Sequence, residues 1–185
     1  QKRPPRSTSK QSNVPAPLKV VSKPSSYSVI REKRLFGLKS PSFYLMKNAD
    51  MVYHAMLKET SDGNAFIINA EERIDRFSES FVGYLKKQES GRRFTLKVPS
   101  GSMSEIEHKE VLGFHFYQHD NRKRGAFVIA PPPVVPYYPA NKEVSLSRLA
   151  KSMIVPPGFV SYTGCSDTPV CGIESIKNMV LKKSD

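Results

Sequence analysis

Catalytic chemistry leaves characteristic spacings, and this sequence carries none of them. No G-x-S-x-G, G-x-x-x-x-G-K-[ST], G-x-G-x-x-G or H-E-x-x-H pattern occurs, so no nucleophile elbow, phosphate-cradling loop, dinucleotide turn or zinc-binding helix is expected. His115 and His119 are four apart, a helix-face spacing for two metal ligands, yet Phe114-His115-Phe116 reads as strand, which does not gather such a pair. His108 stands among Glu105, Glu107 and Glu110 with no nucleophile or partner base at a fixed spacing, and reads as a solvated loop or strand-edge cluster. The two cysteines, Cys165 and Cys171, form no C-x-x-C pair. Small packed or free thiols in a reducing, intracellular compartment are expected, not zinc or a disulfide framework. The sequence therefore predicts a non-enzymatic protein with no cofactor and no metal. What remains is cationic chemistry.

The chain has 185 residues, with 29 Lys+Arg against 17 Asp+Glu and a net charge of +12. Most of that excess sits at one end. Residues 1–41 hold Lys2, Arg3, Arg6, Lys10, Lys19, Lys23, Arg31, Lys33, Arg34 and Lys39 against the single acid Glu32. Six prolines and eight serines accompany them, and no apolar periodicity does. Such a segment buries too little surface to offset its ordering entropy, so 1–41 reads as an extended tail or linker that orders against a partner. Acidic lipid headgroups, nucleic acid and an acidic protein surface all fit its charge. The start at Gln1 rather than Met suggests a piece of a longer protein.

These cations need a scaffold, and from residue 42 the spacing supplies one. Short β-branched and aromatic runs fall at 42–46, 51–57, 65–69, 80–86, 92–98, 108–118 and 125–130. Asp62-Gly63, Gly91 and the charged stretch 119–124 mark turns between them. The proline-rich stretch 131–139 must leave the sheet, and 142–153 has helix-compatible spacing of Val144, Leu146, Leu149 and Ala150. Near-regular short strands predict a mainly β domain over 42–185, an antiparallel barrel or sandwich. No apolar run reaches the length of a membrane-spanning helix.

Several of these strands carry more than periodicity. Phe66-Ile67-Ile68-Asn69, then Glu79-Ser80-Phe81-Val82-Gly83-Tyr84-Leu85-Lys86, then Gly91-Arg92-Arg93-Phe94-Thr95-Leu96 and Gly101, follow one another in this order. Val111-Leu112-Gly113-Phe114 and Phe127-Val128-Ile129-Ala130-Pro131 continue the series, with weaker echoes at 141–149 and 174–178. Together they resemble the tubby-like domain family, whose D-S-Y-[IV]-G-x-L-[RK], G-T-K-F-T, N-V-L-G-F and S-V-I-V-P segments recur at nearly this spacing. The resemblance covers about residues 42–178 and is strongest over 66–131. It implies a closed antiparallel barrel of twelve strands around a central hydrophobic helix. That helix would follow the last residue of this chain. Phe66, Ile68, Val82, Leu85, Phe94, Leu96, Leu112, Phe114, Phe127 and Ile129 are then expected among the packed positions.

The resemblance also implies function. Tubby-like domains bind phosphatidylinositol bisphosphate and carry membrane cargo, especially toward cilia. Adjacent phosphates require converging cations. The family's basic segment falls here on 55–63, where Lys58 alone is basic and Glu59 and Asp62 oppose an anion. Its second contributor falls on Lys86, with Lys87 beside it. Two readings follow. One is a phosphoinositide-binding adaptor at the cytoplasmic face of a membrane, using Lys58, Lys86 and Lys87. The other is a structural protein of the cilium or cytoskeleton, whose β domain docks other protein subunits and whose basic tail lies along an acidic polymer such as tubulin. Arg92-Arg93 beside Phe94 is too common a triplet to assign nucleic-acid binding, and Arg122-Lys123-Arg124 reads as a solvated turn.

Overall fold

The computed structural model describes residues 26–32, 40, 42–60, 63–88, 91–100, 107–120, 123–132, 144–165 and 180–184. Among these residues, ten strands form one antiparallel sheet in which every strand pairs with its sequence neighbours. They are β1 (Ser28–Glu32), β2 (Ser42–Lys47), β3 (Asp50–Thr60), β4 (Gly63–Asn69), β5 (Phe81–Lys87), β6 (Arg93–Ser100), β7 (Glu107–Asp120), β8 (Lys123–Ala130), β9 (Val160–Cys165) and β10 (Val180–Lys183). One helix among the described residues, α1 (Leu146–Ser152), lies between β8 and β9 in sequence. β2–β3, β3–β4, β5–β6 and β7–β8 are joined by connections of a few residues, which only antiparallel neighbours can use, whereas the chain passes from β8 to β9 through α1.

Two expectations need correction. The sheet does not close: β1 and β10 stand at opposite ends of the strand order, and each has one neighbour among the described residues. A closed barrel needs its first and last strands to pair, which these do not. Secondly, β1 falls inside the segment read as a tail. Its residues pair with β2 from Ser28–Met46 to Glu32–Ser42. Tyr44 donates a hydrogen bond to the Glu32 carboxylate at 3.1 Å, and the Arg31 guanidinium lies 5.8 Å from the centre of the Phe43 ring. All five residues of β1 remain exposed, as suits an edge strand.

Register sorts the side chains onto two faces, because directly paired residues point the same way. One row runs Lys58, Ala65, Lys86, Thr95, Gly113, Ile129, Ser161 across seven strands. On this face sits α1. Leu146 and Ala150 bury completely against Phe127 and Ile129, with Tyr117, Leu149 and Phe159 packed around them. Gly113 is the contact point: a Cβ there would collide with the carbonyl group of Leu146. The Glu110 carboxylate fixes the helix start, accepting the Leu146 N–H at 2.7 Å while lying 3.8 Å from Lys97 Nζ. Ser145, the N-cap residue, makes no side-chain cap bond, so β7 supplies the cap. Glu110 is thus buried structure and not part of a solvated cluster. His108 likewise packs, 5.0 Å from Tyr84 and 6.3 Å from Phe81 between ring centres.

The opposite face carries Phe43, Leu57, Phe66, Ile68, Leu85, Phe94, Leu96, Leu112, Phe114 and Val128, by the same register. Most of these are half-buried, and no helix of the described residues lies over them. The expected packed positions therefore divide. Phe127 and Ile129 belong to the α1 core, whereas Phe66, Ile68, Leu85, Phe94, Leu96, Leu112 and Phe114 line the other face. Val82 is the extra residue of a bulge in β5, between Phe81 and Gly83. Gly83 completes that bulge with φ +157°, and a Cβ on it would collide with the Lys97 carbonyl.

Candidate functional site

Lys58 and Lys86 flank Ala65 in the row described above, one on β3 and one on β5. Two inter-strand spacings place their backbones about 10 Å apart on the same face, a span that two lysine side chains can close over one doubly charged ligand. Ala65 between them is almost fully buried and presents only a methyl group. Lys58 is exposed and Lys86 half-buried. Glu59, read as opposing an anion, pairs with Asn64 and points to the other face. Lys97, two strand positions away on the lysine face, is committed to Glu110. Asp62 lies outside the described residues.

Lys87 does not join this pair. Its register partner is Phe94, on the opposite face, and its side chain lies over the turn residue Gly91. Alternation along β5 separates what adjacency in sequence had grouped. Of the tail cations, Arg31 is held in β1 against Phe43. Lys2, Arg3, Arg6, Lys10, Lys19, Lys23, Lys33, Arg34 and Lys39 lie outside the described residues, as do Cys171 and the proline-rich stretch from residue 133. Cys165 is a free thiol on β9. No group of three or more metal-ligating side chains occurs among the described residues, and no helix among them is long and apolar enough to cross a membrane.

His115 sits on the α1 face, level with Arg93 and Phe127. Burial holds its imidazole below the ordinary value of 6.5; Arg93, Lys151 and Arg92 push the same way, and a hydrogen bond with the Ala150 backbone opposes them. The folded chain therefore binds fewer protons at His115 than the unfolded chain does. Its contribution to stability is intact above about pH 6.5 and is lost as pH falls through the lowered folded-state value. The unfolding midpoint should thus decline as pH falls below about 6.5, and His115→Gln should flatten that decline. Parallel pH profiles for the two proteins would show that His115 is not the titrating group.

No protein-family model matches this chain, and no curated protein matches it either. The class that fold and site define together is an open antiparallel β sheet with one helical cover and a paired-lysine face.

Proposed function

We propose that the chain is a divergent tubby-like module that binds phosphoinositide headgroups through Lys58 and Lys86, acting as a non-enzymatic adaptor at a membrane surface. The observation that carries this reading is the shared row: two lysines on one face, one strand apart on either side of a small buried residue, with the nearest acidic neighbour in β3 turned away. A bisphosphate offers several anionic oxygens over a few ångströms, so two cations that reach one point recognise it better than either cation alone. The sequence resemblance points to the same ligand class.

Vesicle flotation tests the reading. Vesicles with phosphatidylinositol bisphosphate should retain the chain at a physiological ionic strength of about 0.15 M, where surface attraction is screened beyond about 8 Å. Lys58→Glu and Lys86→Glu should each weaken retention about tenfold or more, equivalent to one lost charge-assisted contact. Lys87→Glu, on the other face, should change it little. Retention that falls equally with all three variants would mark nonspecific attraction, and retention unchanged by Lys86→Glu would remove the site.

A further inference from the structure

The face away from α1 carries a separate cationic place, at the end of the sheet where the β5–β6 and β7–β8 hairpins turn. A cavity of about 460 Å³ opens there, and Arg92, Phe94, Phe116, Gln118, Arg124 and Gly91 line it. The register explains the assembly. The Phe116 N–H donates to the Arg92 carbonyl at 2.8 Å, which sets Arg92 beside β7 on one side. Gln118 pairs with Arg124 on the other side. Two inter-strand spacings, with the two-residue offset between Phe116 and Gln118 along β7, thus separate the two arginine backbones by about 12 Å, within reach of both side chains from a ligand above β7.

Between the arginines stand Phe94 and Phe116, edge to face with ring centres 6.0 Å apart and planes at 80°. Phe116 is 39% exposed, so its ring is open to solvent at this end of the sheet. Lys87 adds a third cation at the margin. Its Cε lies 3.3 Å from where a Cβ on Gly91 would stand, and Gly91 has the left-handed φ of +68° that the tight turn requires. The lining residues named include two cations and no carboxylate.

The chemistry selects a ligand class. A carboxylate is satisfied by one guanidinium fork, whereas a phosphate monoester offers three oxygens and two negative charges to two forks. An aromatic pair with one exposed ring, Phe116, offers a face or an edge to another flat ring. Gln118 carries both a donor and an acceptor on its amide. The volume lies in the range of small-molecule sites, roughly 300–1,000 Å³. We propose that this cavity binds a small aromatic phosphate of the nucleoside monophosphate type, its phosphate held by Arg92 and Arg124 and its ring packed on Phe94 and Phe116. This site shares no residue with the lysine pair, so it stands or falls independently of the lipid reading.

Isothermal titration of the whole chain with adenosine 5′-monophosphate tests it, with adenosine and inorganic phosphate as comparison ligands. The nucleotide should bind at least about tenfold more tightly than either half of it. Arg92→Ala, Arg124→Ala and Phe116→Leu should each weaken the nucleotide about tenfold, while Lys58→Ala and Lys86→Ala leave it unchanged. Both arginines are exposed, so their removal leaves the fold intact, which circular dichroism checks. Nucleotide affinity no greater than that of inorganic phosphate, or affinity unaffected by Arg92→Ala and Arg124→Ala, would overturn the assignment.

Discussion

Gly113→Val should be among the most damaging single substitutions in this protein, lowering the unfolding midpoint by about 6–12 °C through a loss of about 3 kcal/mol or more. The reason lies in what a side chain at this position would meet. Even the first carbon collides with the Leu146 carbonyl, which is backbone and has no rotamer to retreat into. Leu146 is itself pinned, because its N–H is held by Glu110. The helix must therefore lift as a unit, exposing Phe127 and Ile129, which are 4% and 0% exposed when it is seated. Gly113→Ala should show the same defect to a smaller degree. A valine variant that unfolds at the wild-type midpoint would mean that α1 does not rest on β7 at this point.

That contact was half legible in the sequence. The strands of the middle of the chain announce themselves by β-branched and aromatic runs, and β3 to β8 fall where those runs lie, within a few residues. The two edge strands do not. Ser28–Glu32 carries a cation and an anion and follows a proline-rich stretch, while Val180–Lys183 is four residues ending in two lysines. Edge strands hold few apolar contacts, so composition gives them no signal. Nor could the sequence say which face of each strand is covered. In β4 the run Ala65-Phe66-Ile67-Ile68 is apolar throughout, yet Ala65 and Ile67 are buried and Phe66 and Ile68 are only half-buried. An alternation of burial without an alternation of residue type is readable only from the register.

The site divided along the same line. Lys86 and Lys87 are neighbours in the chain, and the period-two rule alone separates them onto opposite faces. Joining Lys86 to Lys58 needed two register pairings, and joining Arg92 to Arg124 needed the course of β7 between them. Glu110 shows the limit most clearly. Its partner Leu146 is 36 residues away, and nothing in the local composition of Glu105–Glu110 distinguishes a buried helix cap from a solvated acid. Residue type suggested which groups carry charge; the pairing of strands decided which of those charges meet.

The second large effect should come from Asn69, a residue whose importance lies in what it holds rather than in what it could bind. Its side chain is completely buried at the end of β4. The amide Nδ2 donates to the Asp75 carbonyl at 2.8 Å, to Ser78 Oγ at 2.9 Å and to Ser80 Oγ at 3.1 Å, and Oδ1 accepts the Asp75 N–H at 3.3 Å. One side chain thus closes the whole connection between β4 and β5, the strands that carry Ala65 and Lys86. Asn69→Ala removes these contacts from a buried position and leaves Asp75, Ser78 and Ser80 held only by their bonds to one another, a cost of about 2 kcal/mol and a midpoint lower by about 4–8 °C. Asn69→Asp separates the two halves of the explanation: it keeps the acceptor, loses the donors and buries a charge, and should be no better than alanine. The connection should also open before the sheet does. Arg73 and Arg76 are exposed within it, so trypsin should cut the alanine variant there faster than the wild type under conditions where both remain folded. Equal cleavage rates, with an unchanged midpoint, would show that the serines and Asp75 hold the connection without Asn69.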